Sequence, residues 1–147
     1  MLEGILTGNQ EAIDAGKKII DLTYPLGWDP KYGGIISFTD ISGNPPIQLE
    51  WDMKLWWPQC ETMIAARMAY MLFKEEKYLQ IYTEIEKYCQ MYLVDHKHGE
   101  WYGYLHYDNT VASVAKGNVF KGPYHIPRLY IIMAMLDSGR TMEEYAR

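Results

Sequence analysis

Residues 28–46 read WDPKYGGIISFTDISGNPP, and residues 95–110 read DHKHGEWYGYLHYDNT. The two stretches align. Asp29 falls with Asp95, Lys31 with Lys97, Gly33 with Gly99 and Phe38 with Tyr104, each pair 66 positions apart. Both stretches mix turn formers with β-favouring residues, so each reads as a turn-rich β-hairpin. Pro58 and Pro123 follow about one repeat apart and open the next helices. A fixed internal period means stacked supersecondary units, none of which buries its apolar face alone.

Helical spacing fills the intervals. Residues near 9–23 place Ile13, Gly16, Ile20 and Thr23 on one side. Residues 57–72 carry Trp57, Glu61, Ile64, Met68 and Met71. Residues 77–93 carry Tyr78, Ile81, Tyr82, Ile85, Tyr88, Cys89 and Tyr92, and residues 124–137 carry Leu129, Ile132, Met133 and Leu136. The last three follow the i, i+3, i+4, i+7 pattern of an amphipathic helix. A short final turn from Thr141, with Glu144 completing a capping box, is expected. The chain therefore reads as two copies of one unit, helix, β-hairpin, helix. A closed ring of such units is an α/α barrel with its hairpin loops at one end. Residues just before Pro58 and just after Pro123 then face the same central hollow.

At 147 residues the chain has the length of one domain with one core. Apolar residues make up 48% and charged residues 22%, a globular composition. The net charge is −5 and no basic run stands out, which argues against a nucleic-acid partner. No apolar stretch approaches the roughly 20 residues that span a bilayer, and the N-terminal MLEGILTGNQ does not read as a signal peptide. Cys60 and Cys89 lie in apolar helical segments, so reduced thiols and a cytoplasmic location are expected. Aromatics reach 14%, with 13 Tyr and 5 Trp against 3 Phe. Tyr and Trp pair an apolar ring with a polar handle, which suits a wet carbohydrate cleft as well as a helical core.

Charge and aromatics gather at the hairpin-to-helix joints. His125 lies between Pro123 and Pro127 in KGPYHIPR (121–128). Histidine suits reversible proton transfer near neutral pH, and the two prolines restrict the local backbone. The plain alternative is a histidine that caps its helix or is satisfied in the core. Trp56 and Trp57 offer a plate for a sugar face, or fill the core. Glu61 lies one turn after Trp57 on the same helix face and can orient a histidine or a hydroxyl, or stay solvated. Arg128 can bind a carboxylate or hydroxyl, or pair with a neighbouring acid. His96 and His98 flank Lys97 on a loop without a metal-ligand pattern, so no metal is expected. No phosphate loop, nucleophile elbow or C-x-x-C motif is present.

Three segments, EWDMKLWWPQCETMIA (50–65), HGEWYGYL (98–105) and KGNVFKGPYHIPR (116–128), resemble the N-acylglucosamine 2-epimerases, also known as renin-binding proteins. The resemblance covers essentially the whole chain and corresponds to the C-terminal part of that family. It implies a mainly α fold, half of an (α/α)6 barrel formed by residues 1–147 as a single partial domain. It implies an isomerase that interconverts N-acetylglucosamine and N-acetylmannosamine without a cofactor, through proton removal and return at C2 of the opened sugar. Carried over residue by residue, His125 is one of two acid/base histidines, Trp57 contacts the sugar, Glu61 orients catalytic groups and Arg128 supports them. Phe120 stands where some relatives place a sugar-stacking tryptophan, which counts against a disaccharide substrate.

The second histidine of the family, and its arginine and tyrosine contacts to the sugar, have no counterpart here. None of His96, His98 or His106 matches that histidine. The resemblance therefore implies a fragment, inactive alone, that self-associates or pairs with a missing N-terminal half. A binding module without turnover, or a cellobiose- or mannose-type isomerase, is the alternative.

Overall fold

The computed structural model describes residues 1–139. The chain runs α1 (Leu2–Thr7), α2 (Gln10–Gly27), β1 (Lys54–Leu55), α3 (Trp56–Phe73), α4 (Glu76–Tyr88), a π-helical turn (Cys89–Leu93), β2 (Tyr104–Leu105), β3 (Val111–Ser113) and α5 (His125–Asp137). The expected final turn at Thr141 lies outside the described residues.

Ion pairs along the helices fix their directions. Lys17 meets Glu75, Asp21 meets Lys77 and the Tyr24 hydroxyl donates to Glu84, so α2 and α4 run side by side in parallel. Trp57 and His125 meet at one end of α3 and α5, and Arg67 and Asp137 at the other, so these two are also parallel. The layers are thus an outer pair, α2 and α4, and an inner pair, α3 and α5. This is the mainly helical, α/α-barrel architecture expected from the repeat. Helix α3 sits between the layers and buries residues around its whole circumference, from Trp56 through Gln59, Cys60, Met63 and Ile64 to Ala69. Burial pushes the Cys60 thiol up to about 12 and Cys89 well above its ordinary value, so both are packed as small apolar groups.

The internal repeat is an atomic one. Trp28 bridges Ile35, and Val94 bridges Trp101 at the same 66-residue offset. In each copy an aspartate accepts a backbone N–H two residues on, Asp29 from Lys31 and Asp95 from Lys97, both near 3 Å. Gly33 and Gly99 share φ +74, a left-handed conformation that glycine adopts without a Cβ penalty. Gly34 has a further reason to lack a side chain, because a Cβ there meets the Tyr88 ring at 2.4 Å.

Several elements differ from the sequence reading. Residues 28–46 form a single bridge rather than a hairpin, and the chain then loops to β1. That loop is closed at its base by the Ser37 N–H on Met53 O and the Phe38 N–H on Trp51 O. The strands pair across repeats: β1 joins β2 antiparallel, with Lys54 opposite Leu105, and β2 joins β3. Pro123 lies two residues ahead of α5, and Pro127 takes the first-turn place that Pro58 takes in α3. A missing N–H costs nothing there, since those donors lack intrahelical partners anyway. Helix α2 continues through Pro25 to Gly27, and Tyr24 and Trp28 near the proline pack on the core. The helix expected over 77–93 loosens into the π-turn after Tyr88. Among the described residues no helix is long and apolar enough to cross a membrane.

Candidate functional site

Both inner helices begin at the loop end, and their first residues meet. His125 is the first residue of α5, and Trp57 is the second of α3. One turn into α3, Glu61 turns its carboxylate toward α5. Its Oε1 lies 2.9 Å from His125 Nδ1, and its Oε2 accepts a hydrogen bond from Arg128 Nη1. One carboxylate thus holds an imidazole with one oxygen and a guanidinium with the other. These three side chains are about a third exposed or less, so the cluster is open to a ligand on one side.

An ionised carboxylate only accepts, so Nδ1 carries the proton in this contact. The neutral imidazole then presents the Nε2 lone pair, the atom a general base needs. Aromatic rings surround it. The Trp57 ring lies 6.1 Å from the imidazole centroid and tilts by 37°, with Phe38 6.3 Å behind it. Trp56 lies 6.3 Å away at 72°, and Tyr124 4.9 Å away at 82°. A groove of about 410 Å³ between α2, α3 and the Ile35–Ile41 loop reaches Glu61 and is lined mainly by apolar side chains.

Of the residues singled out from sequence, His125, Glu61, Arg128 and Trp57 come together. Phe120 does not join them. Its ring is 79% exposed on the Asn118–Lys121 turn. The tryptophan pair divides: Trp57 is half-buried, whereas Trp56 is only 3% exposed and forms a wall of the core. His96 is engaged with Gln90 O, and His98 with Asp95, on the turn of the second repeat. Among the described residues no group of three or more His, Cys, Asp or Glu is arranged to hold a metal ion.

Two supporting groups escape sequence reasoning. Gln59 accepts from Ile35 N–H and donates to Ile35 O and Leu55 O, pinning the first loop onto α3 just below Trp57. Lys54 is fully buried. It donates to Asp29 at 2.6 Å, to Tyr107 O at 2.7 Å and to Asn109 Oδ1 at 3.1 Å, tying the two repeat loops together. Burial alone would raise the Asp29 carboxyl; Lys54 and the Lys31 N–H hold it below the usual carboxylate range. In the second repeat, Lys116 and two backbone N–H groups hold Asp95 well below that range against the opposing effect of desolvation. A lysine inside the apolar run MKLWW is the one sequence signal for the first network.

The chain has relatives among known proteins. The model of the N-acylglucosamine 2-epimerase (GlcNAc 2-epimerase) family matches residues 2–127. The chain is 44% identical over 111 residues to the N-acylglucosamine 2-epimerase of Bos taurus, covering 76% of this chain and 26% of that protein. It is 31% identical over 110 residues to the D-mannose isomerase of Marinomonas mediterranea, covering 74% of this chain and 27% of that protein. A crystal structure of D-mannose isomerase superposes with a TM-score of 0.72 at 27% identity, over 83% of this chain and 30% of that one. The chain spans about a quarter of the length of the relatives it matches.

Proposed function

The chain belongs to the N-acylglucosamine 2-epimerase family, and from that premise we propose that it supplies one pole of a sugar 2-epimerase site. The proposed reaction interconverts N-acetylglucosamine and N-acetylmannosamine. The observation that carries this reading is the Glu61 carboxylate shared between His125 and Arg128 beside the Trp57 ring.

In the opened sugar, the C2 proton lies next to the C1 aldehyde. His125 Nε2 takes that proton. The C–H electron pair forms the C1–C2 double bond, and the carbonyl pair moves onto O1, giving an enolate whose C2 keeps its acetamido nitrogen. Glu61 keeps the imidazole oriented and offsets the charge it gains. Arg128 neutralises Glu61 on its far side and offers N–H donors toward developing oxyanions. Trp57 supports the apolar face of the sugar. Returning the proton to the opposite face inverts C2 and needs a second acid/base across the cavity. His96, His98 and His106 stand outside this cluster, so the second group comes from the remainder of a barrel or from another copy of the chain. Exposed apolar residues on both edges, Ile19, Leu22 and Leu26 on α2 and Tyr130 and Ile131 on α5, support such an association. Two free thiols fit a reducing, cytoplasmic setting.

Proton NMR in D2O tests the reading by following loss of the H2 signal of N-acetylmannosamine. Exchange is expected when the chain is mixed with the N-terminal part of a family member, and His125→Asn in the mixture abolishes it. Retained exchange in that variant removes His125 from the mechanism. Full-rate turnover by the chain alone defeats the argument for a missing pole. A second reading, sugar binding without turnover, is favoured by the single histidine in the cluster. Calorimetric binding with no H2 exchange in the mixture would establish it.

A further inference from the structure

Trp56 presents an anomaly. It is 97% buried, yet its indole Nε1–H has no hydrogen-bond partner among the described residues. An orphaned buried donor is costly, and a phenylalanine or leucine would avoid it. The ring is nevertheless held on two sides, by Tyr104 at 5.5 Å and 60° and by the His125 imidazole at 6.3 Å and 72°. Tyr124, 62% exposed, closes the solvent side of the same imidazole edge-on at 4.9 Å. Glu61 fixes one ring nitrogen but leaves the ring free to swing about that hydrogen bond. Rings packed edge to face resist that swing, because rotation sacrifices both contact area and quadrupole complementarity.

We infer that Trp56 is a positioning residue for His125. Its ring, assisted by Tyr124, holds the imidazole plane so that Nδ1 stays on Glu61 and Nε2 stays available for proton transfer. Trp57 keeps the separate role of meeting the ligand. The inference deepens the proposed function and rests on its reading of His125 as the proton-transfer group. It gives the core-facing ring of the tryptophan pair a role of its own beside the sugar-facing one.

The test reads ring order rather than turnover, so its failure is distinct from a failure of C2 exchange. The chain carries 4 histidines, so ¹⁵N labelling of histidine resolves the Nδ1–H of His125 by NMR. Glu61→Gln supplies the reference signal of an unanchored ring. Trp56→Phe keeps an aromatic wall without the orphan donor, and wild-type exchange of the Nδ1 proton with water is expected. Trp56→Leu removes the wall, and exchange about five-fold faster is expected from the loss of one aromatic pair. A folded Trp56→Leu protein with wild-type exchange overturns the inference. If that variant does not fold, Tyr124→Ala decides, because an exposed ring can be removed without opening the core. Accelerated exchange there supports the enclosure, and unchanged exchange overturns it.

Discussion

Lys54→Met is the sharpest test of what holds the site in register. Both Lys54 and Asp29 are fully buried and 2.6 Å apart. Removing one partner of a buried ion pair costs roughly 3–5 kcal/mol, because the other charge stays buried and unpaired. Asp29 keeps the Lys31 N–H and the Tyr107 hydroxyl as donors, and Asn109 Oδ1 keeps the Tyr88 hydroxyl. Tyr107 O loses its Lys54 donor. The loss therefore falls near the lower end, about 3 kcal/mol. For a domain of this size that is a fall in Tm of about 6–12 °C. Urea unfolding of wild type, Lys54→Met, Asp29→Asn and the double variant completes a cycle. The double variant is expected to be more stable than Lys54→Met alone, with a coupling energy of at least about 1.5 kcal/mol. Additive single effects, or a Lys54→Met loss below about 1 kcal/mol, would refute the claim that this pair ties the two loops together.

Gly34→Ala adds a Cβ at φ +82 against the Tyr88 ring and is expected to cost roughly 2–4 kcal/mol, whereas Gly43→Ala, at φ +78 in open space, costs only the backbone strain of roughly 1–2 kcal/mol. Chemical denaturation of the two variants separates steric from conformational cost. Asp29 and Asp95 have folded pKa values below their unfolded ones. Their stabilisation is thus complete above an unfolded value of about 3.9 and is lost as pH falls through the folded values. The urea midpoint is expected to hold level from neutrality to about pH 5 and to decline below about pH 4, less steeply in Asp95→Asn. Glu61→Gln is expected to shift stability by less than about 1 kcal/mol, since the cluster is partly exposed. It is also expected to slow C2 exchange in the complemented protein by about 100-fold or more; an equal loss in both assays would make Glu61 a structural residue.

The repeat was the most legible feature, because its turns depend on short-range chemistry. An aspartate that accepts the N–H two residues on and a glycine at φ +74 leave the same trace in both copies. The inner helices were legible from apolar spacing for a related reason. What sequence did not reveal depends on contacts between repeats. Strands of two residues have no readable period, so the β1–β2 pairing across repeats left no mark. Lys54 carries the residue type of a surface, and only the convergence of Asp29, Tyr107 and Asn109 makes its burial tolerable. Trp56 and Trp57 are adjacent in sequence, but the helix sends one into the core and leaves the other half-buried beside His125. Phe120 was singled out by position in a motif, yet its turn points it into solvent.

The energetics of the cluster fit the proposed role in chemistry better than a role in folding. His125, Glu61 and Arg128 are each 27–34% exposed along the side chain, so their ion pairs contribute little net stability. Trp56 adds a buried donor without a partner. Stability alone would favour apolar residues at all of these places. The surrounding framework does the opposite: Gln59 satisfies both backbone groups of Ile35, and Lys54 makes three hydrogen bonds within the buried network. Local cost concentrated at one partly exposed joint, with hydrogen-bonded buried groups in the elements that hold it, is the distribution expected of a functional site. The joint lies between the repeats, since Glu61 comes from the first inner helix and His125 from the second. Its geometry is therefore only as exact as the cross-repeat sheet and the Asp29–Lys54–Asn109 network. A substitution in that network should disturb His125 without touching it.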